Sequence, residues 1–497
     1  MVDSRQHIQE EIGFQATKKR AVKGMAALTG RTFLLQIVSF FGFFLLSVFL
    51  NQAEIGLFFA VSELVAILGY FSDIGLAAAL IQKKEKPDER EIRSTFTIQE
   101  IIVLLSVGTF FILTPVIARF YQIGPAGLWL LRAFLAGFFL ASLKTIPSVM
   151  LERRLRFDLL VLIEVVETLI FYGLSVFLAW RGFGVISYAW AVLCRGLAGV
   201  VMIYLISPWP IGFSFQLRSL KRLLKFGLPF QANTLLAVIK DRLMNVFLWR
   251  IIGVSGVGIL GWAQKWAQMP LRFAMDPVMK VTFPAFSRLQ QDQTRLKKAL
   301  EFSLFSVAVL AFPLLTGLAL MAGPLVRIIP KYQKWETALL PLCLFCFNAA
   351  WGAITTPLTN VYNAVGKIKI TFKLMILWTV LTWVLTPLLA VKFGFIGAAW
   401  ALGLIPVSSL IVFYLVYKDF KINVLKTVWP PLLSSLLMGA YLWVVTDRLS
   451  FIGWPIIFFL IASGGLVYSL TLFLIARENL LRGVLLLKDS FSSRSEK

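Results

Sequence analysis

The sequence contains few of the residues that most enzymes use for chemistry. Its 497 residues include one histidine, His7, and three cysteines, Cys194, Cys343 and Cys346. All three cysteines fall inside apolar runs, and an odd number of buried thiols gives no disulfide framework. A single histidine in a polar N-terminal segment leaves little basis for a metal site or a catalytic triad. We therefore expect no catalytic residue, no bound metal and no cofactor.

Charged residues are also scarce, at 15% of the chain, while 59% of the residues are hydrophobic and the mean hydropathy is +0.81. This composition is typical of a protein whose solvent is lipid. Lys and Arg total 49 against 25 Asp and Glu. The basic residues lie in short clusters between apolar runs, as in the cytoplasmic loops of membrane proteins, and not on one basic domain. This distribution argues against a nucleic-acid partner and indicates membrane lipids as the surroundings.

Apolar runs of about twenty residues, the length that crosses a bilayer, recur along the chain. They predict an all-α integral membrane protein with about fourteen transmembrane helices in two groups of six followed by two more. The alternation of basic loops places both termini in the cytoplasm. A segment with leucines on one face and basic residues on the other, 213–226, predicts an interfacial helix on the inner leaflet, and 480–488 has a similar pattern. The predicted parts are a cytoplasmic N-terminal segment at 1–27, an N-lobe with helices 1–6 at 28–206, an interfacial linker helix at 207–225, a C-lobe with helices 7–12 at 226–417, helices 13–14 at 418–475 and a cytoplasmic tail at 476–497.

The two halves of the sequence share short matches in the same order. FGVISYAWA at 183–191 matches FGFIGAAWA at 393–401, and Pro147 and Pro357 are separated by the same number of residues. Each half contains an even number of predicted spans, so both halves start on the same side of the membrane. The pattern predicts parallel repeats, an arrangement in which transporters bind substrate between the lobes.

Three further stretches identify a family resemblance: GRTFLLQIVSFF at 30–41, DIGLAAALIQKKE at 73–85 and IPSVMLERRLRFDLL at 146–160. With the repeated FG motif, they resemble the polysaccharide exporters of the multidrug/oligosaccharidyl-lipid/polysaccharide flippase superfamily. The resemblance implies two six-helix lobes around a central cavity in the cytoplasmic (inner) membrane, with two extra C-terminal helices. It implies a flippase that moves polyprenyl-pyrophosphate-linked oligosaccharide units by alternating access for O-antigen, capsule or exopolysaccharide. It leaves open a polysaccharide polymerase and glycosyltransferases as protein partners.

Ionisable residues inside predicted spans are the candidates for a site, because an intramembrane charge is costly unless it faces water or a partner. On the eighth span Lys265, Arg272 and Asp276 share one helical stripe, which Gln268 borders. Cationic donors suit a pyrophosphate, and a polar wall suits sugars. The predicted substrate-binding residues are Arg31, Lys240, Arg242, Lys265, Gln268 and Arg272, and the candidates for ion coupling are Glu63, Asp73, Asp241 and Asp276.

The same residues have a structural interpretation as ion pairs between helices. Asp241 would neutralise Lys240 or Arg242, and Asp276 would pair with Arg272. Glu63 and Asp73 would pair with Arg31 and its neighbours. Other intramembrane charges would form inter-helix pairs, namely Glu100, Arg132, Glu164, Glu167 and Arg195.

Other functions fit the sequence less well. An ATP-driven exporter would carry a GxxxxGK[ST] loop, whereas Gly366 and Lys367 are followed by Ile368. A glycosyltransferase or polymerase would need a sizeable outer loop with acidic or His groups, and the outer loops are short. A multidrug or cation antiporter of the same fold, with a cavity that does not repel cations, is the alternative function. A lipid II type flippase is a second alternative with a related substrate.

Overall fold

The computed structural model describes residues 30, 33–73, 80–81, 87–209, 211–214, 238–449 and 453–495, without the side chains of 71–73 and 478–495. In this part of the chain the regular secondary structure is helical, with no strand. The chain divides into two compact units, an N-terminal unit at 1–255 and a C-terminal unit at 256–497. The division expected from the sequence, with lobes at 28–206 and 226–417, stays a prediction.

The N-terminal unit is built from long apolar helices that pack side by side. The helices are α1 (Phe33–Phe49), α2 (Gln52–Asp73), α3 (Glu89–Phe120), α4 (Pro125–Leu143), α5 (Thr145–Arg153), α6 (Phe157–Trp180) and α7 (Ile186–Ile206), followed by a π-helical turn at Val238–Leu243. Pro125 is the first residue of α4, a position where its missing N–H costs no hydrogen bond. The main packing pairs are α6 with α7, α4 with α7, and α3 with α4.

The C-terminal unit begins within a helix that starts at Met244. Its helices are α8 (Met244–Arg288), α9 (Gln293–Ile328), α10 (Leu339–Ala364), α11 (Ile368–Leu404), α12 (Leu410–Phe420), α13 (Val424–Arg448) and α14 (Trp454–Ser495). Helix α9 packs against α10 and α13, and α13 packs against α14. A cluster that includes Met321, Met438, Leu442 and Tyr468 fastens the last two helices to α9.

The expected helix number is consistent with the structure. Eleven stretches of the described chain are long and apolar enough to cross a membrane, and the shorter apolar helix α1 precedes them. Two of the eleven, Val238–Arg288 and Ile368–Phe420, have 51 and 53 residues, more than twice the length that one crossing needs. Each bends at a glycine with positive φ, Gly253 (70°) and Gly394 (61°), at the place where the sequence predicts a break between two spans.

The glycine of the repeated FG motif has a positive φ in both units. Gly184 has φ 56° and Gly394 has φ 61°, values that glycine adopts without the steric cost of a Cβ atom. Gly184 lies two residues before the start of α7, and Gly394 lies at the non-helical point inside α11. The match between the half-sequences therefore extends to the sign of φ at this glycine.

Large apolar side chains cover much of the outer surface of the helices. Leu105, Ile112, Leu205 and Leu474 are each at least 67% exposed. A soluble protein does not expose apolar surface on this scale, because its burial is the main driving force of folding. The chain is a multi-pass membrane protein, and exposed apolar side chains of this kind suit a lipid environment.

Two of the stretches that carry the family resemblance contact each other. Arg153, from the stretch at 146–160, donates from Nη1 to the backbone oxygens of Leu80 at 2.5 Å and Ile81 at 3.3 Å. Leu80 is fully buried and packs with Phe96, Ile146 and Val149. The guanidinium of Arg153 thus supplies a donor to two backbone carbonyl oxygens of the other stretch.

Parts of two amphipathic segments lie outside the described residues. In the predicted linker helix, Phe213 and Ser214 are not helical, and 215–226 is outside the description. The backbone at 480–488 is helical and follows a bend at Ala476, while its side chains are outside the description. The interfacial position of both segments stays a prediction.

Candidate substrate and ion-coupling site

The π-helical turn at Val238–Leu243 holds three of the predicted site residues of the N-terminal unit. It packs against α2, and Arg242 Nη1 lies 2.7 Å from Glu63 Oε2 on that helix. Lys240 Nζ lies 2.5 Å from Asp241 Oδ1. Turns of this type are rare and are frequent at functional sites.

These four side chains form a neutral group of two cations and two carboxylates. The side chain of Arg242 is 46% exposed and that of Glu63 is 22% exposed, so the ion pair lies at an open surface of the unit. An anionic ligand that approaches Arg242 must compete with Glu63 for the same guanidinium. The structure thus joins a residue predicted for ion coupling to one predicted for substrate binding.

The predicted stripe of the C-terminal unit lies on α8. Lys265, Gln268 and Asp276 are half-buried, and Arg272 is exposed. Within the described residues no ion pair involves Lys265, Arg272 or Asp276, so the alternative pairing of Asp276 with Arg272 is not formed. Lys265 and Arg272 repel each other electrostatically. A stripe with two unpaired cations in an apolar helix is a strong attractor for an anion.

The backbone of α8 is interrupted near this stripe. Pro270 and Pro277 lie inside the helix, and each removes an N–H donor from the helical hydrogen-bond ladder. Freed backbone groups inside a membrane are tolerated where they line protein or water and not lipid. The prolines therefore favour a polar environment for the stripe.

An apolar groove lies in the same unit. Its volume is about 480 Å³, and it is lined mainly by carbon atoms of α8, α9 and α14, with Phe273 as the contribution of α8. Tyr468 closes one wall and donates its hydroxyl to Val309 O at 2.8 Å. Phe273 directly follows Arg272 in the sequence, and successive side chains of a helix point in different directions, so the groove and the stripe lie on different faces of α8.

Two predicted site residues cannot be placed. Arg31 and the side chain of Asp73 lie outside the described residues. The suggested pairing of Glu63 and Asp73 with Arg31 therefore stays a prediction. Within the described chain, the partner of Glu63 is Arg242.

A second charged cluster joins three helices of the N-terminal unit. Glu167 on α6 pairs with Lys144, between α4 and α5, and its Oε2 lies 3.6 Å from Arg195 Nε on α7. The pairing of Glu167 with Arg195 confirms the predicted inter-helix role. The sequence interpretation missed Lys144, although it is the only charged residue between Arg132 and Glu152. A lone lysine in an apolar stretch is a signal for a buried partner.

The fold and these charged groups can be compared with known proteins. The sequence model of a family described as "Polysaccharide biosynthesis protein" matches residues 45–339, more than half of the chain. The chain belongs to this family. The family expected from the sequence is therefore confirmed.

Curated relatives carry names from the same area of biology. The chain is 23% identical over 378 residues to the teichuronic acid biosynthesis protein TuaB of Bacillus subtilis, covering 74% of this chain and 77% of TuaB. It is 21% identical over 342 residues to the lipopolysaccharide biosynthesis protein WzxC of Escherichia coli, covering 67% of each chain. Both relatives act, by name, in the synthesis of surface polysaccharides.

Solved structures show the fold. The lipid II flippase MurJ in an inward closed conformation superimposes with a TM-score of 0.74 at 17% identity, covering 91% of this chain and 99% of MurJ. An inward-facing multidrug resistance MATE family transporter of the MOP superfamily gives 0.58 at 17% identity, covering 79% and 95%. The predicted fold class is confirmed by these similarities.

Proposed function

We propose that the chain is a flippase that moves polyprenyl-pyrophosphate-linked oligosaccharide units across the cytoplasmic membrane by alternating access, for the synthesis of a surface polysaccharide. The observation that carries this proposal is the stripe on α8, whose two cations form no ion pair within the described part of the chain, in a chain of the polysaccharide biosynthesis family. On this proposal the substrate is moved without a covalent step, so the chain is not an enzyme.

The pyrophosphate is the part of such a substrate that the stripe fits. Lys265 and Arg272 have no carboxylate partner in the described chain, so an anion binds them without displacing an existing ion pair. The guanidinium fork of Arg272 matches two phosphate oxygens, whereas the ammonium of Lys265 acts as a point charge. Gln268 lies between them on the helix and offers a donor and an acceptor to a sugar hydroxyl.

The groove suits the lipid part of the substrate. Its wall is apolar, and Phe273, the exposed aromatic residue that α8 contributes to it, is the sequence neighbour of Arg272. A polyprenyl chain gains no burial energy against lipid tails of equal polarity, so the groove would orient the carrier and contribute little affinity. Orientation is what a flippase needs from this contact, because the pyrophosphate must meet the cations.

The neutral group in the N-terminal unit suits ion coupling. A pyrophosphate bound to Arg242 would release Glu63 from its ion pair, and the freed carboxylate would take up a proton or sodium ion. Asp73, Asp241 and Asp276 are further candidates for this step, and Arg31 and Lys240 are further candidates for the phosphate. Phosphate binding and ion binding would be coupled because the phosphate and the Glu63 carboxylate compete for the Arg242 guanidinium: phosphate binding weakens the ion pair and favours uptake of a proton or sodium ion by Glu63.

The surroundings expected for this function follow from the loops. The basic clusters place both termini in the cytoplasm by the positive-inside rule. The partners are the lipid-linked glycan and membrane lipids, with a polysaccharide polymerase and glycosyltransferases as candidate neighbours in the pathway. The relatives are named for different polysaccharides, so the sugars of this substrate are left unassigned.

The alternative functions predict different consequences of the stripe. A multidrug or cation antiporter would be impaired by two unpaired cations, since they repel a cationic drug. A lipid II type flippase would share the pyrophosphate contact and differ in the sugar contact. Removing a cation should therefore weaken glycan export in the proposed function and should strengthen drug export in the antiporter.

The test is complementation of glycan export in a flippase-deficient strain by Lys265→Ala, Arg272→Ala and Arg272→Lys, with the membrane abundance of each variant. A lost charge-assisted contact of about 2 kcal/mol corresponds to about thirtyfold in affinity, so both alanine variants should lose most export at normal abundance. Arg272→Lys should retain part of it. Arg327, at the exposed end of α9, is the matched control, and its Ala and Lys variants should export normally. Native export by both alanine variants would refute the role of the stripe.

A further inference from the structure

A buried carboxyl group lies between α3 and α4, away from the site described above. Glu100 is 5% exposed, and its Oε2 lies 2.9 Å from Ser142 Oγ. Its other oxygen, Oε1, is buried and has no hydrogen-bond partner in the described chain. No ion pair of the described residues includes Glu100.

The two contacts of the Ser142 hydroxyl bear on which atom carries the proton. Its Oγ lies 2.7 Å from Phe139 O as well as 2.9 Å from Glu100 Oε2. A serine hydroxyl has one proton, and a carbonyl oxygen can only accept. If Ser142 donates to Phe139 O, the shorter of the two contacts, its Oγ can only accept from Glu100. Both contacts are then hydrogen bonds only when Glu100 is a carboxylic acid.

The ionised state of Glu100 would be costly in this environment. A buried carboxylate needs a cation or several donors, and without them the group neutralises instead. Glu167 in the same unit shows the contrast, because it is equally buried and is held by Lys144 and Arg195. Glu100 has one hydroxyl contact and no cation. The two glutamates thus differ in their expected charge for a reason that is visible in their partners.

Most charged groups on the helices around Glu100 have partners elsewhere. Helices α2 and α4 pack against α3. Tyr204 of α7 interacts electrostatically with Glu100, and its hydroxyl donates to Leu143 O at 3.0 Å. On α2, Glu54 accepts from Asn51 N and Glu63 pairs with Arg242; the other ionisable groups of this helix are Tyr70 and Asp73, and the side chain of Asp73 is outside the description. On α4, Arg132 lies over the ring of Phe111. Lys144, which directly follows α4, pairs with Glu167.

An apolar cluster lies one turn before Glu100 on α3 and directly after the end of α4. Phe96 precedes Glu100 by one turn of α3, and Ile146 belongs to α5, four residues after Ser142 in the sequence; both pack with Leu80, Val149 and Trp209. The basic loops place this end of the helices at the cytoplasm. Water from that side reaches Glu100 only when the cluster separates, so a proton on Glu100 is sealed in this conformation.

We propose that Glu100 is a proton-binding site of the N-terminal unit, protonated in this conformation at neutral pH, and that it exchanges its proton with water when the cluster around Phe96 opens. In the exchange the carboxylic O–H bond breaks, the proton passes to water and a carboxylate is left. Re-protonation reverses the step. The site is separate from the Glu63–Arg242 pair, and its protonation does not require the substrate assignment above.

Infrared difference spectroscopy on the purified full-length chain tests the protonation state directly. The spectrum of the native chain minus that of Glu100→Gln, at neutral pH, should contain the C=O stretch of a protonated carboxyl that shifts in D2O. Ser142→Ala should move this band, because the acid loses its acceptor. Glu63→Gln is the control and should leave the band in place, since a carboxylate in an ion pair has no such stretch.

Absence of a Glu100-dependent carboxylic band would overturn the proposal. If Glu100→Gln does not accumulate in the membrane, Ser142→Ala decides, because a band that does not respond to it is not Glu100. Export measured from mildly acidic to mildly alkaline buffer tests the exchange step: Glu100→Gln should flatten the pH dependence of the native chain. A pH profile identical to the native one would overturn the exchange. Neither infrared result depends on which substrate the chain carries.

Discussion

Glu167→Gln should destabilise the N-terminal unit by leaving Lys144 without its partner. The side chain of Glu167 is 6% exposed and that of Lys144 is 18% exposed, while that of Arg195 is 46% exposed. Removing one member of a buried ion pair costs about 3 to 5 kcal/mol. The lower end applies, because Arg195 reaches a surface and keeps its contact with the ring of Phe171 at 5.9 Å.

A loss of about 3 kcal/mol corresponds to a fall in melting temperature of about 6 to 12 °C for a unit of this size. The measurement is thermal unfolding of the detergent-solubilised chain at a fixed scan rate, since membrane proteins often unfold irreversibly. The control is Glu301→Gln, whose pair with Lys297 at 3.9 Å is solvent-exposed and should contribute less than about 0.5 kcal/mol.

The double variant Glu167→Gln with Lys144→Met separates the ion pair from general damage. Because Met leaves no stranded ammonium, the double variant should lose less stability than the two single variants together, with a coupling of about 1 to 2 kcal/mol. A Glu167→Gln variant that melts like the native chain would refute the buried-pair argument. Strict additivity of the two changes would refute the coupling between Glu167 and Lys144.

Two further predictions use single positions. A methyl group at Gly199 would overlap Glu167 Oε1 and lie 2.9 Å from Lys144 Nζ, whereas one at Gly173 meets nothing within 4 Å. Gly199→Ala should therefore lower the melting temperature, and Gly173→Ala should raise it, by up to about 1 kcal/mol in stability. Equal effects of the two substitutions would contradict the packing. In a chain without native cysteines, Lys331→Cys should react with an impermeant thiol reagent on intact spheroplasts and Lys421→Cys should not. Both lysines are exposed, so the reverse pattern would invert the predicted topology.

The sequence predicts the helices well because their signal is local. Apolar runs of sufficient length determine a span wherever they occur, and Gly253 and Gly394 lie in the short breaks between predicted spans. The π-helical turn at Val238–Leu243 was not predicted. Its hydrogen-bond pattern depends on packing against α2 and leaves no periodic mark in the sequence.

The partners of the charged residues were harder to predict. Glu63 and Arg242 are separated by 179 positions, and helix periodicity indicates a face without indicating its neighbour. The structural interpretation paired Glu63 with Arg31 and its neighbours; Arg31 lies outside the described residues, so that pairing stays a prediction, and the described partner Arg242 comes from the far end of the unit. Glu167 and Arg195 lie on adjacent helices, so the expectation of a pair there was confirmed. Membership of a stripe, as for Lys265 and Arg272, follows from spacing alone.

The contact of Arg153 with the backbone of Leu80 and Ile81 has an evolutionary consequence. Only one partner contributes a side-chain group, because the acceptors are carbonyl oxygens that every residue possesses. Selection for this contact would therefore act on the arginine, and positions 80 and 81 would be free to vary among apolar residues that keep the packing. Methods that detect contacts from covarying residue pairs would then miss this link between the two stretches, although it is a direct hydrogen bond.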